Sequence, residues 1–221
     1  MKFPVHLLAV ATLASSTLFA QSEVEKRLAA ATATLDEIMA VKDKSIPEDL
    51  LKKSACAVVV PGVKKGAFIV GGKFGRGFFT CRKDGGGWSA PGAVRVEGGS
   101  IGFQIGGSET DVVMLVMNQR GKDSLLSSKF TVGADAAVAG GPVGRETSAA
   151  TDAAMRAEIL TWSRSRGVFA GVSLKGSTLR EDEDALKELY GKKLKNKDVI
   201  ATMAPPTAAA TFLSTLSKYA N

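Results

Sequence analysis

The stretch ACAVVVPGVKKGAFIVGGKFGRGFFTC, residues 55–81, decides the fold of this protein. It opens with a run of small and β-branched apolar residues, 55–60, which favours a buried strand ended by Pro61-Gly62. Residues 67–70 and 77–81 repeat the strand-like pattern, with glycines and lysines between them. Glycine and β-branched residues are poor helix formers, so the stretch predicts sheet rather than helix.

The next hundred residues continue the same pattern. Asp84-Gly85-Gly86-Gly87 is a turn signal between two apolar runs. Further strand candidates follow at short, regular spacing: 93–96, 100–105, 112–117, 132–139 and 167–172. This spacing favours antiparallel meanders over βαβ units.

Helical patterns flank the predicted sheet. Residues 22–42 carry apolar side chains at three- and four-residue steps, and Glu181–Tyr190 has an acidic first turn and a stop at Gly191. Shorter helices are predicted for residues 48–53, which follow a capping-box pattern at 45–48, for residues near 122–127 and for residues 208–219. Residues 153–163 are ambiguous: their propensity favours helix, but a strand-like run follows them. The sequence thus predicts an α+β fold with an antiparallel β-rich core, an N-terminal amphipathic helix and C-terminal helices.

The N-terminus reads as a secretory signal peptide covering residues 1–20. Lys2 is its only charge, and an apolar run over 3–14 leads to Ala20, the predicted last residue before cleavage. The alternative is an uncleaved anchor. We therefore expect an exported protein, periplasmic or extracellular and peripheral to the membrane, with one domain over 21–194 and a C-terminal tail with a candidate short helix over 195–221.

Charge and cysteine content narrow the choice of partners. The chain has 29 basic and 22 acidic residues; without Lys2 the balance is 28 to 22, or +6. This excess suits anionic membranes or polyanions, and export argues against nucleic acid. Cys56 and Cys81 are either a disulfide, as an oxidising compartment allows, or two buried free thiols.

Several chemistries are excluded by the residues present. The single histidine, His6, lies in the predicted signal peptide, which excludes histidine-dependent catalysis and histidine metal sites in the mature chain. A phosphate-binding loop fails as well, because Ala67 stands in place of its first glycine and Phe74 in place of its hydroxyl residue. We predict no enzyme activity, no cofactor and no metal; catalysis by carboxylates such as Glu109 and Asp111 is the weakest hypothesis.

Basic residues beside the glycine-rich strands are candidates for binding anionic headgroups. The ammonium group of lysine and the planar guanidinium group of arginine, next to exposed backbone amides, suit the binding of phosphate groups. The candidates are Lys64, Lys65, Lys73 and Arg76 in the predicted sheet and Lys26 and Arg27 on the first helix. Scattered solubilising charges are the alternative. The first helix is likewise either packed on its own domain or laid on a membrane surface.

Taken together, several stretches in this order resemble the SYLF domain family. They are PGVKKGAF at 61–68 leading into GGKFGRG at 71–77, GWSAP at 87–91, SIGFQIGG at 100–107, GGPVGR at 140–145, WSRSRGVFAGVS at 162–173 and the Tyr190-Gly191 pair. The resemblance covers about residues 26–193. It implies an α+β domain without catalytic residues, whose eukaryotic relatives bind phosphoinositides and other anionic lipids, partly through an N-terminal amphipathic helix, and in some cases actin filaments.

This sequence departs from the family pattern in its first helix, which mixes Lys26 and Arg27 with four carboxylates. That departure weakens the case for phosphoinositides in particular. The leading hypothesis is therefore non-enzymatic binding of anionic lipid or a membrane surface. The alternative is an envelope protein-interaction or structural module that uses the glycine-rich β surface to hold a protein partner.

Overall fold

The computed structural model describes residues 21–41, 45–67, 70–101, 106–141, 157–165, 168–169, 174 and 176–220. The predicted signal peptide lies outside the described residues. The helices are α1 (Glu23–Met39), α2 (Glu48–Lys53), α3 (Gln119–Leu126), α4 (Glu183–Tyr190), α5 (Asn196–Thr202) and α6 (Ala210–Ala220), with a 3-10 turn at Thr207–Ala209. The strands are β1 (Cys56–Ala67), β2 (Val70–Cys81), β3 (Gly92–Ile101), β4 (Gly106–Val116), β5 (Lys129–Thr131), β6 (Val138–Gly140), β7 (Ile159–Ser165), β8 (Val168–Phe169) and β9 (Thr178–Glu181).

The described strands form one nine-stranded sheet in the order β5-β9-β3-β2-β1-β4-β7-β6, with β8 paired to β7. Neighbouring strands are antiparallel except for β6 and β7. The two strands at the ends of this order, β5 and β6, are joined by a short turn that contains a bridge between Val132 and Ala136, so the two ends of the sheet lie close together and the sheet is curled. The predicted α+β class with an antiparallel core and helices at both termini is confirmed.

A curled sheet has two faces to bury, and each has its own core. Alternation along the strands sends Val59 and Phe78 to the outer face, where they pack with helix residues such as Leu28 and Phe212. The opposite face holds Val58, Phe79 and the other inward residues of the strands, joined by Leu125 of α3. We call these the helix-side core and the inner core.

The expected stop at Pro61-Gly62 is wrong: β1 continues through these residues. The register of β1 against both β2 and β4 shifts there by a bulge. Gly62 takes φ +58°, a left-handed conformation that glycine adopts at no steric cost, and its N–H donates to Asp111 Oδ1 at 2.9 Å. The bulge lets β1 run on and carry Lys64 and Lys65 beyond the core.

Helix α1 is packed on its own domain. The helix starts at a capping box in which Ser22 and Glu25 satisfy each other's backbone N–H groups. Its apolar stripe is buried in the helix-side core, with Leu35 and Ile38 fully inaccessible. The capping box predicted for α2 is wrong, since its N-cap is Pro47 and no side chain caps it.

The C-terminal residues complete the helix-side core. Helix α4 ends at Gly191, φ +71°, as predicted. Residues 196–220, expected as a tail with a short helix, form α5, the 3-10 turn and α6, and bury Val199, Phe212 and Leu216 completely. Among the described residues no single helix is long and apolar enough to cross a membrane; α5 with the segment 207–220 passes by length and composition only as a pair bent by 89°.

Residues 157–165 settle one ambiguity of the sequence. Their described part forms β7, which pairs with β4 from Asp111–Arg164 to Val116–Ile159. Helix propensity in this stretch yields to the sheet partner on each side. Residues 151–156 lie outside the described part of the chain.

Cys56 and Cys81 form a disulfide that joins the start of β1 to the end of β2. The two residues lie directly opposite each other in the ladder and both are completely buried in the inner core. Of the two states that the sequence left open, the structure has the bonded one.

Candidate functional site

The ends of β1 and β2 away from the disulfide carry three of the predicted basic residues. Lys64 lies opposite Phe74, Lys65 opposite Lys73, and Gly66 opposite Gly72. Because side chains alternate across a strand, Lys65 and Lys73 share one face, while Lys64 and Phe74 share the other. We call Lys64, Lys65, Lys73 and Phe74 the hairpin patch.

The two lysines on the inner-core side of the hairpin patch lie close together. Like charges directly opposite on neighbouring strands destabilise a sheet. Partial burial, and then the charge of Lys65, lower the pKa of Lys73 from its usual range. The pair therefore concentrates positive charge where the sheet runs out beyond its core.

The other face of the hairpin patch combines a cation with an exposed ring. The Phe74 side chain is 50% exposed, the largest exposed fraction of the described bulky apolar residues. Lys64 is exposed and makes no ion pair with any residue in the described part of the chain. An exposed aromatic ring beside several lysines can meet an apolar surface and an anionic one at once.

Arg76 has a different role, because its guanidinium is already used. Its Nε and Nη2 donate to the two carboxylate oxygens of Asp182, each at 2.5 Å. Asp182 is fully buried and caps α4 by accepting from the N–H of Ala185 at 3.3 Å. Burial alone would raise the pKa of Asp182, but the hydrogen bonds from Arg76 and Ala185 outweigh it and hold that pKa below its usual range.

Arg27 and Lys26 lie on α1, not on the strands that carry the hairpin patch. Burial, and then the charge of Arg76, lower the pKa of Arg27, while Asp182 and Glu188 oppose this. Lys26 donates to Glu23 on its own helix at 2.7 Å. With Arg76, three of the six predicted headgroup residues are thus paired with carboxylates of α1 or of the start of α4, or lie close to them.

A groove of about 490 Å³ separates α1 from the bulge of β1. Its charged lining residues are Lys26, Arg27 and Arg164 against Glu23, Glu37, Glu109 and Asp111. Arg164 bridges Glu37 of α1 and Asp111 of β4, the latter at 3.0 Å, so it fastens the helix to the sheet. Four carboxylates against three cations make this groove a poor site for an anion.

The structure also shows a row of cations that the sequence did not reveal. Lys129, Arg180, Arg95 and Arg76 lie side by side on four neighbouring strands. Glu97 bridges Nε of Arg95 at 3.2 Å and Nε of Arg180 at 3.3 Å. The row depends on the pairing of β9 with β3 and β5, and no local pattern in the sequence specifies that pairing.

The model of a known protein family matches this chain. The model of the Ysc84 family, described as Las17-binding protein actin regulator, matches residues 97–219. This segment is more than half of the 221-residue chain and runs from β3 to the end of α6.

The chain belongs to the Ysc84 family, that is, to the SYLF domain family.

Relatives of this SYLF protein carry the same domain in longer chains. The present chain is 33% identical over 170 residues to LAS seventeen-binding protein 3 of Saccharomyces cerevisiae; the alignment covers 75% of this chain and 37% of that protein. It is 35% identical over 150 residues to SH3 domain-containing YSC84-like protein 1 of Xenopus laevis (67% and 44%), and 32% identical over 169 residues to the human protein of that name (76% and 49%). The chain therefore spans less than half the length of these curated relatives.

Proposed function

We propose that this SYLF protein binds anionic lipid at a membrane surface through the hairpin patch. The observation that carries the proposal is the convergence of Lys64, Lys65 and Lys73 with the exposed ring of Phe74 at one end of the β1–β2 pair. The sheet would approach the surface end-on, with lysines on both faces of the hairpin reaching the headgroups and the ring reaching the interfacial region.

The energetics of such a contact are additive and sensitive to salt. A lysine near an anionic bilayer contributes about 1 kcal/mol, so two lysines account for roughly a 30-fold change in affinity. Exposed charges are screened over about 8 Å at physiological ionic strength, and binding therefore weakens as salt is added.

A charge-reversal experiment tests the patch. Mature protein with Lys64→Glu and Lys65→Glu is compared with wild type for co-sedimentation with neutral vesicles and with vesicles containing phosphatidylglycerol, at low and physiological salt. The matched control is Lys192→Glu with Lys193→Glu, an adjacent, exposed pair between α4 and α5 with the same change in net charge. Circular dichroism melts verify that each variant is folded.

The expected result is at least a 30-fold weaker binding of the hairpin variant to anionic vesicles, with the control close to wild type. Equal losses in both variants would mean that only net charge matters, and would overturn the assigned site. Undiminished binding by the folded hairpin variant would overturn it as well. Absence of binding to any vesicle would overturn the lipid function itself.

We also place the protein outside the cytoplasm, peripheral to the membrane, and regard it as a binding module rather than an enzyme. The apolar N-terminal run supports export, and the Cys56–Cys81 disulfide is of the kind that persists in oxidising compartments. Fractionation of the producing cells, with the mass of the recovered chain, tests both export and cleavage after Ala20.

A protein partner is the second candidate. It is favoured by the relatives whose names state that they bind Las17, although those proteins are more than twice as long as the aligned part. A pull-down that survives physiological salt, from a protein that binds no vesicle, would favour this function over the lipid one.

A further inference from the structure

Next to the hairpin patch, four glycines form a row across four strands. Gly66 of β1 pairs with Gly107 of β4 on one side and with Gly72 of β2 on the other, and Gly72 pairs with Gly99 of β3. Each lies two residues along its strand from a member of the row that contains Phe74, so both rows face the helix side of the sheet. We call Gly107, Gly66, Gly72 and Gly99 the glycine row.

Within the described part of the chain, the fold gives no reason for glycine at three of these positions. A Cβ added at Gly66 or Gly99 would meet no atom within 4 Å, and one at Gly72 would meet only a carbonyl oxygen at 4.0 Å. None of the three has a positive φ. All three are exposed.

Other glycines of the same sheet region show what an internal reason looks like. A Cβ at Gly77 would lie 2.2 Å from the carbonyl oxygen of Val59, and one at Gly75 would lie 2.9 Å from a Val63 methyl group. Glycine inside a strand costs conformational entropy and packs nothing, and it often marks a bulge, a tight bend or the close approach of a ligand or another backbone. The register is regular at Gly66, Gly72 and Gly99, which argues against a bulge there.

The shape of the surface defines what can approach. Strand spacing makes the glycine row about 14 Å long, and the Phe74 row stands about 7 Å to one side of it as a wall. The wall has Phe74 and Lys64 at its centre, flanked by Glu97 and Glu109. Glu97 is already bridged to Arg95 and Arg180. Glu109 is exposed at the other end of the wall, directly opposite Lys64, so the groups at the centre of the wall that suit an anionic lipid are the ring of Phe74 and the ammonium group of Lys64.

We propose that the glycine row and Phe74 seat the hydrocarbon chain of the anionic lipid whose headgroup Lys64 holds on the same face of the sheet. The inference rests on the proposed function and extends it from headgroup attraction to uptake of one chain segment onto the sheet. A narrow strip without side chains, bordered by an aromatic ring and by the ammonium group of Lys64, matches a slender apolar chain attached to an anion.

A second copy of the chain is the less favoured occupant. The strip and its wall measure roughly 14 by 7 Å, about 100 Å² for each copy, whereas stable protein interfaces bury about 1,200 Å² or more in total.

The test measures how affinity depends on chain length. Mature protein is titrated calorimetrically with glycerophosphoglycerol, which is the headgroup alone, and with monoacyl phosphatidylglycerols of increasing chain length below their micelle concentrations. The variants are Gly72→Val, which fills the middle of the strip, and Phe74→Ser, which removes the wall. The matched control is Gly140→Val, at a strand glycine on β6 whose Cβ would also meet nothing within 4 Å.

We expect wild type and Gly140→Val to bind each longer chain about two- to fourfold more tightly per methylene until the strip is filled, because apolar surface leaves water. Gly72→Val should bind all chain lengths like the headgroup, while remaining at least as stable as wild type, since valine suits an exposed strand better than glycine. Phe74→Ser should reduce the chain-length dependence.

The contrary outcomes are distinct. If wild type bound the headgroup alone and the acylated ligands equally well, the proposed site for the hydrocarbon chain would be overturned, and the lysine site would remain. Equal chain-length dependence in wild type and Gly72→Val would also overturn it. Self-association of wild type that Gly72→Val abolishes would assign the strip to a second copy instead. Failure of wild type to bind any of these ligands would overturn both the seat and the proposed function.

Discussion

Arg76 and Asp182 join the middle of β2 to the first residue before α4 through two hydrogen bonds of 2.5 Å each. Asp182 is completely buried and the Arg76 side chain is 29% exposed. The pair therefore fixes α4 on the outer face of the sheet. An arginine that the sequence offers as a headgroup ligand is thus paired with the buried residue that caps a helix.

Removing Arg76 should destabilise the fold. Arg76→Ala leaves a buried carboxylate without its partner, and we expect the free energy of unfolding to fall by about 3 kcal/mol. Urea unfolding followed by circular dichroism measures the change, with the exposed Lys64→Ala as a control that should stay within about 0.5 kcal/mol of wild type. Wild-type stability in Arg76→Ala would contradict the structural role.

The same pair predicts an acid-sensitive stability. Because the pKa of Asp182 is lower in the folded than in the unfolded state, its contribution is present above the unfolded value of about 3.9 and is lost as pH falls through the folded pKa. Between about pH 5 and pH 2, wild type should lose more stability than Asp182→Asn does. Urea midpoints across this range provide the measurement, and parallel curves for the two proteins would refute the linkage.

The disulfide should stabilise the domain appreciably. Its cysteines are 25 residues apart in the chain, and closing a loop of that size restricts the unfolded state by roughly 3 kcal/mol. Cys56→Ala with Cys81→Ala should therefore lower the free energy of unfolding by about that amount. Mass spectrometry without reductant should show wild type lighter by two hydrogens than the reduced chain; equal masses would mean free thiols.

Helix α1 should stay on the domain when vesicles bind. Its apolar stripe is buried, Arg164 fastens Glu37 to the sheet, and the hydroxyl of Tyr219 donates to Asp36 at 2.8 Å. We expect its amides to exchange hydrogen as slowly with anionic vesicles as without them. Faster exchange of α1 on vesicle binding would show that the helix detaches to meet the membrane.

Local pattern predicted the elements whose neighbours in the chain are also their neighbours in space. Strands β1, β2 and β3 pair with their sequence neighbours, and alternating apolar residues fix which face each side chain takes. Strand β4 pairs with β1 and β7 instead, which the local pattern does not specify. The apolar stripe of α1 and the end of α4 at Gly191 are likewise specified by residues close together in the sequence. Composition alone limited the chemistry, because the single histidine, His6, falls within the predicted signal peptide.

Only the tertiary structure decided how the basic residues are used. Lys64, Lys65 and Lys73 meet because a bulge at Pro61-Gly62 carries β1 onward instead of ending it, and a bulge depends on the partner strands. Arg76 and Asp182 are separated by 106 residues, so no local pattern links them. Charged residues can be counted from a sequence, but long-range packing determines whether a charged side chain pairs with a buried partner or stays exposed at the surface.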